Sequence, residues 1–354
     1  STTKLLTTTT ALQLIDPQTR FATRVERVPG THRIVLVGGG DPFLASAPPA
    51  KGHAVYPQRA TTAQLAQRAA AALRREGVRK VRLSYDDSLF SGPAVDPSWP
   101  TTYLPEDVVP PISALWVDEG EVDGRYSSDP SLAAADTFAG QLRKAGIKVI
   151  GELQHRRAPA GAKTVARVES APLGEIVQRL IAVSDNNAAE VVARHAAIAA
   201  GRSGSFKGAV ATIHATLDRL GVDTTGLRLY DGSGLSRHDR IDPRTILGVL
   251  RTAGGPGHAR LREVVTGLPI AGFTGSLATR YQTSPHAALG RVRAKTGTLT
   301  GVSALVGTAV DLDGDQLYFA VMADRIAPPQ TMAARQAEER ITAALGACHC
   351  GRAR

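Results

Sequence analysis

The sequence predicts a mixed α/β fold: an antiparallel sheet with helices on both faces, interrupted by an inserted region of its own strands and helices. Three observations predict it. The stretches 302–310 and 316–321 alternate apolar and polar residues and meet across Asp313-Gly314, a hairpin signal. Helical patterns over 173–183, 187–200 and 331–345 accompany that hairpin in the chain. Between residues 31 and 159, short strand-like runs alternate with helical ones and with proline-rich crossings.

Taken in order, residues 1–15 read as a helix because Leu5, Leu6, Leu12 and Ile15 recur near helical spacing, although four consecutive threonines are poor helix formers. Ile34-Val35-Leu36-Val37 reads as a buried strand running into Gly38-Gly39-Gly40, and 81–85 as another before Asp86-Asp87. The helix composition of 61–76 stops at Gly77, and that of 131–145 stops at Gly146, followed by a strand-like Ile147-Lys148-Val149-Ile150. Proline density rises from Pro93 to Pro111, an irregular crossing, and 155–163 reads as a linker. Residues 1–30 and 160–354 are therefore assigned to one domain and 31–159 to an insertion.

The 354 residues are 43% hydrophobic and 21% charged, enough apolar material for one large core or two modest ones. No window approaches eighteen uninterrupted apolar residues, and no basic start leads into an apolar stretch, so neither a spanning helix nor a signal peptide is read in these residues. The net charge of +10, with eight lysines and 34 arginines, is spread along the chain. Without a basic run or interleaved aromatics, it argues for solubility before nucleic-acid binding. Cys348 and Cys350 flank His349 near the end, too few ligands for a metal, and read as an exposed tail.

Three short motifs carry the candidate chemistry: Ser1-Thr2-Thr3-Lys4, Ser184-Asp185-Asn186 and Lys295-Thr296-Gly297. Composition alone gives roughly 0.4, 0.1 and 0.07 chance matches to Ser-x-x-Lys, Ser-x-Asn and Lys-Thr-Gly, a product in the required order of roughly 0.0005. Positions i and i+3 share a helix face, so Lys4 can lie beside the Ser1 hydroxyl and remove its proton if the amine is kept neutral. Lys295 would be the second cation that keeps it so. Ser184 and Asn186 can face one cleft from a turn entering a helix, as a proton relay and a carboxamide for a substrate carbonyl. Lys295-Thr296-Gly297-Thr298 reads as an edge strand: Gly297 clears room for an extended substrate, and the hydroxyls of Thr296 and Thr298 point the same way. The amides of Thr298 and Ser1 would form an oxyanion hole. Singly, each motif is more often a solvated helix face, an N-cap or a turn.

With these motifs, the chain resembles the low-molecular-mass class C penicillin-binding proteins, the D-Ala-D-Ala carboxypeptidase/endopeptidase family of serine peptidase S13. The likeness extends through 36–42, 86–90, 231–237 (Asp-Gly-Ser-Gly-Leu-Ser-Arg), 268–272 and 291–301, in order. It implies a penicillin-binding-protein/β-lactamase-like catalytic domain. In that domain Ser1 is the acylated nucleophile, Lys4 the base, and Ser184 and Asn186 the second-motif residues. Lys295, Thr296 and Thr298 then bind the terminal carboxylate of a peptidoglycan stem peptide. The resemblance further implies Arg237 and Asp86 near a diamino-acid side chain, inhibition by β-lactam antibiotics, no cofactor or metal, and an extracytoplasmic location. The family places a helix and sheet strands before its nucleophile, so residues upstream of Ser1, with an export signal, are expected in the natural chain. Two rivals use the same motifs: a β-lactamase, for which no Glu-x-x-Leu-Asn segment occurs between Asn186 and Lys295, and a non-catalytic peptidoglycan-binding module.

Overall fold

A computed structural model describes residues 2–282 and 286–350. Ser1, the expected nucleophile, lies outside the described residues. In chain order the elements begin with α1 (Thr3–Leu14), β1 (Ala22–Arg27), β2 (Arg33–Val37), α2 (Thr62–Arg75), β3 (Lys80–Asp86), β4 (Glu121–Val122) and β5 (Arg125–Tyr126). They continue with α3 (Pro130–Lys144), β6 (Lys148–Val149), β7 (Gln154–His155), β8 (Lys163–Glu169), α4 (Leu173–Val183), α5 (Asn186–Ala199), α6 (Phe206–Arg219) and α7 (Pro243–Gly254). The last are α8 (Arg262–Thr266), β9 (Val292–Leu299), β10 (Val302–Val310), β11 (Gln316–Ala323) and α9 (Thr331–Gly346). The chain divides into two compact units.

One unit comprises residues 18–173 with 203–205. Its sheet runs β6-β3-β2-β1-β8, with β7 also paired to β3. β2, β3 and β6 are parallel neighbours, whereas β1 pairs antiparallel with both β2 and β8. Those last two ladders draw residues 22–27 and 163–169 into this unit, beyond the 31–159 read from the sequence. Ile34 and Leu36 of β2 and Val81 and Leu83 of β3 share a core with Leu65 and Leu73 of α2 and Phe138 and Leu142 of α3. Thr61 caps α2 by accepting from the Gln64 amide, Gly77 follows its end at φ 73°, and Asp129 caps α3 ahead of Pro130. Glycine is required at 38 and 39: a Cβ there would fall 2.4 Å from the Ala114 carbonyl oxygen and 2.0 Å from that of Ala22.

The other unit comprises residues 2–17, 174–202 and 206–350. Its sheet runs β11-β10-β9, antiparallel throughout, with Lys295 opposite Val306 and Phe319 opposite Gly307. Phe319 joins Ala294, Leu305 and the α9 residue Ala343 in one cluster, while its neighbour Tyr318 lies against Gly254 of α7. Adjacent strand residues point to opposite faces, so helices cover this sheet on both sides. α1 packs against α5, α6 and α7.

In the segment 348–350, Cys348 is half-buried and His349 and Cys350 are exposed, but the segment is not a loose tail. Cys348 and Cys350 are joined in a disulfide, the Cys350 amide donates to Asp311 Oδ2 at 3.1 Å, and His349 Nδ1 lies 2.9 Å from Asp313 Oδ1. The segment is thus pinned to the β10–β11 turn. Among the described residues no helix is long and apolar enough to cross a membrane.

Candidate active site

α1 carries Lys4 in its first turn and buries it completely. The Nζ atom donates to Asn186 Oδ1 at 2.6 Å and to the Ser233 main-chain carbonyl at 2.7 Å. The second motif is the joint between α4 and α5. Ser184 sits at φ 62°, a left-handed conformation that costs a residue bearing a Cβ about 1 kcal/mol. It turns the chain at this joint, so that Asp185 caps α5 by accepting from the Ala188 amide and Asn186 opens the helix.

Lys295 reaches the same joint from β9. It is fully buried, and its Nζ donates to Ser184 Oγ and to the Thr296 carbonyl, each at 2.7 Å. β9 is the edge strand of its sheet. Its first residues are bordered by the 269–271 segment, where Ala294 N donates to the Pro269 carbonyl and Ala271 N to the Val292 carbonyl. Thr296 Oγ1 lies 3.1 Å from Ser276 Oγ, Gly297 is buried, and Thr298 is exposed. Lys4, Ser184, Asn186 and Lys295, drawn from three remote stretches, therefore gather in one compact unit as two hydrogen-bonded pairs that meet at the α4–α5 joint.

Burial governs the charges of this cluster. It lowers Lys4 from the usual 10.5 to about 8, against the attraction of Asp231, Asp185 and Glu190, which favour the ammonium. Burial also pushes Lys295 well below its ordinary value, and the charge on Lys4 adds to that shift. Glu190, fully buried, is pushed up to about 8 by burial and then by Asp231.

Of the residues predicted to bind substrate, Thr296, Gly297 and Thr298 lie on β9 beside Lys295, and Arg237 is exposed at the end of the 231–237 segment. Asp86 belongs to the other compact unit, at the end of β3, where it accepts from the amides of Ala158 at 2.7 Å and Ser88 at 2.9 Å. The sequence reading missed Glu190 and Ser233. Glu190 stands one helical turn beyond Asn186, a spacing that puts both on one face of α5. Ser233 lies within 231–237 and touches Lys4 through its main chain.

The family model for the D-Ala-D-Ala carboxypeptidase 3 (S13) family matches residues 1–128 and 123–345. A carboxypeptidase of Mycobacterium tuberculosis is 35% identical over 99% of this chain and 75% of its own length. The crystal structure of penicillin binding protein 4 from Haemophilus influenzae superposes with a TM-score of 0.81 at 21% identity, covering 96% of this chain and 89% of that one. The same protein complexed with a β-lactam superposes at 0.71 and 20% identity, covering 98% of this chain and 90% of that one. These likenesses establish the fold, and the family match and the mycobacterial relative establish more: the chain belongs to the D-Ala-D-Ala carboxypeptidase 3 (S13) family of serine hydrolases.

Proposed function

We propose that this protein is a serine D-Ala-D-Ala carboxypeptidase/endopeptidase that acts on peptidoglycan stem peptides through an acyl-enzyme and is acylated by β-lactams. One observation carries the reading. Two fully buried amines meet the same turn, Lys4 through the Asn186 carboxamide and Lys295 through the Ser184 hydroxyl. Burial makes the free amine of Lys4 accessible not far above neutral pH, the form a serine nucleophile needs beside it.

In this mechanism the neutral Lys4 amine takes the Ser1 hydroxyl proton as Oγ bonds to the carbonyl carbon between the two D-alanines. The carbonyl electron pair moves onto oxygen, held by the amides of Ser1 and Thr298. As the carbonyl re-forms, the C–N bond breaks and D-alanine leaves, its nitrogen taking the proton from Lys4 by way of Ser184. Water repeats the sequence on the acyl-enzyme and restores the Ser1 hydroxyl. Lys295, Thr296 and Thr298 would take the substrate's terminal carboxylate, and Gly297 would let the peptide lie along β9. Arg237 would read a carboxylate on the acyl side. A β-lactam keeps its leaving nitrogen tethered, so its adduct persists.

Peptidoglycan lies outside the cytoplasm, and a Cys348–Cys350 disulfide suits that oxidising surrounding. The test is incubation of the full-length protein and its Ser1→Ala variant with fluorescent penicillin, followed by intact mass. One lasting adduct on the wild type alone is expected. Label on both or on neither overturns the reading, and rapid turnover of a chromogenic cephalosporin moves it to a β-lactamase.

A further inference from the structure

A neutral amine has two N–H bonds and one lone pair. On Lys4 the two donors are taken by Asn186 Oδ1 at 2.6 Å and the Ser233 carbonyl at 2.7 Å. With both N–H bonds fixed, the lone pair has few directions left, so these acceptors aim the base as well as bury it. Asn186 is a side chain at a helix start. Ser233 offers only a main-chain carbonyl in a glycine-containing turn, and such a carbonyl is as well placed as the turn that bears it.

That turn is fastened from three sides. Glu190 Oε1 accepts from the Ser233 amide at 2.7 Å and from the Gly232 amide at 3.0 Å, with Oε2 at 3.1 Å from the latter. Asp231 accepts from Gly234 N at 2.6 Å and from Ser236 N at 2.7 Å. Thr7 Oγ1 donates to the Gly232 carbonyl at 2.6 Å. Glu190, Asp231 and Ser233 are all fully buried. Gly232 completes the fit: a Cβ there would stand 2.5 Å from Cβ of Ala193, so only glycine brings the turn close enough to α5 for one carboxylate to reach two amides.

We propose that Glu190 is a positioning residue for the acylation step: by clamping the amides of Gly232 and Ser233 it holds the Ser233 carbonyl on the Lys4 amine and so aims the base at the nucleophile. Asp231 holds the N–H of the 233–234 peptide and Glu190 that of the 232–233 peptide leading into it; released, a rotation of the 233–234 peptide would replace that acceptor with an N–H facing the amine. The inference rests on Lys4 acting as the base. The charged groups acting on Lys4 are Asp185 and Glu190 from the α4–α5 joint and α5, Asp231 from the turn, and Lys295 from β9; those acting on Glu190 are Asp231 and Arg194.

The experiment measures the second-order rate of acylation by fluorescent penicillin from about pH 6 to about pH 10 in the full-length wild type, Glu190→Gln, Glu190→Ala and Gly232→Ala. Glutamine keeps one oxygen that can accept both amides, so its plateau rate stays within about 3-fold of wild type. Glu190→Ala releases the turn and lowers the plateau about 10–100-fold. It also moves the rising limb to lower pH, because the ammonium loses an acceptor and a nearby carboxylate. Gly232→Ala pushes the turn off α5 and lowers the plateau similarly. Wild-type plateau and limb in Glu190→Ala, or losses that merely track the folded fraction by near-ultraviolet circular dichroism, overturn the proposal alone. No acylation of the wild type overturns the proposed function as well.

Discussion

Helices α1 and α2 have similar lengths, 12 and 14 residues, and opposite designs. α2 buries Leu65, Ala66, Ala69, Ala70 and Leu73 along one stripe and leaves Gln64, Arg68, Arg74 and Arg75 exposed. Apolar burial accounts for its place in the fold. α1 is buried from Thr3 to Leu12 without interruption, and that stretch includes Lys4 and five threonines. Nothing in hydrophobic burial recommends an amine and five hydroxyls for an interior. Stability and function part company between these helices: α2 holds its unit together, and α1 holds Lys4 in a dry place.

Single substitutions should separate the two designs, beginning with the largest effect. Lys4→Met is expected to lower acylation by fluorescent penicillin about 10²–10⁴-fold, the usual contribution of a positioned base, while unfolding remains cooperative. Leu73→Ala should do the reverse. It removes a fully buried side chain from the α2 core, lowers stability by about 2–5 kcal/mol in urea unfolding, and leaves the acylation rate of the folded fraction unchanged. A Lys4→Met protein that still acylates at the wild-type rate would erase the contrast.

The next effect is a pH dependence. The Lys4 ammonium is disfavoured in the folded protein, where its pKa is about 8 against an ordinary 10.5. Between these values the unfolded chain binds a proton that the folded chain does not, so stability rises with pH across that window, by about 3 kcal/mol in all. Lys295, also lowered by burial, contributes in the same direction. Glu190 and Asp239 are pushed up to about 8 by burial and by Asp231, so their contribution falls as pH climbs from the ordinary carboxylate range to about 8. The unit that holds α1 is therefore expected to be least stable near pH 8. Denaturant unfolding at a series of pH values checks this, and Lys4→Met should flatten the rising side. In the same titration, wild-type acylation should climb as pH passes through about 8.

How much of this was legible in the sequence follows from the same physics. The hairpin of β10 and β11 and the helices α2, α3, α5 and α9 declare themselves by periodicity, because side-chain burial places them. β1 and β8 are not assigned from the sequence: Ala22–Arg27 and Lys163–Glu169 are rich in charged residues and are placed by their ladders with each other and with β2. α7 has a legible start, Asp242 capping a helix that opens with Pro243, which the sequence reading leaves unassigned. In the candidate active site, Lys4, Asn186 and Lys295 are legible because the proposed chemistry uses their side chains and the motif spacing is short. The Ser233 carbonyl and the amides clamped by Glu190 are main-chain atoms, which every residue carries, so composition gives them no signature.

The smallest expected effect probes the threonines of α1. Thr7 and Thr8 have work for their hydroxyls, on the Gly232 and Lys4 carbonyls respectively. Thr9 Oγ1 is buried with no hydrogen-bond partner among the described residues. Valine has nearly the same shape, the same branching and a similar helix propensity, so Thr9→Val changes little beyond the orphaned hydroxyl. Its removal should raise stability by about 1 kcal/mol and leave acylation unchanged. Thr7→Val, by contrast, strands the Gly232 carbonyl and should lower both stability and acylation. If Thr9→Val instead destabilises the protein, its hydroxyl serves α1 as those of Thr7 and Thr8 do, and the polarity of this helix extends one position further than the needs of Lys4 explain.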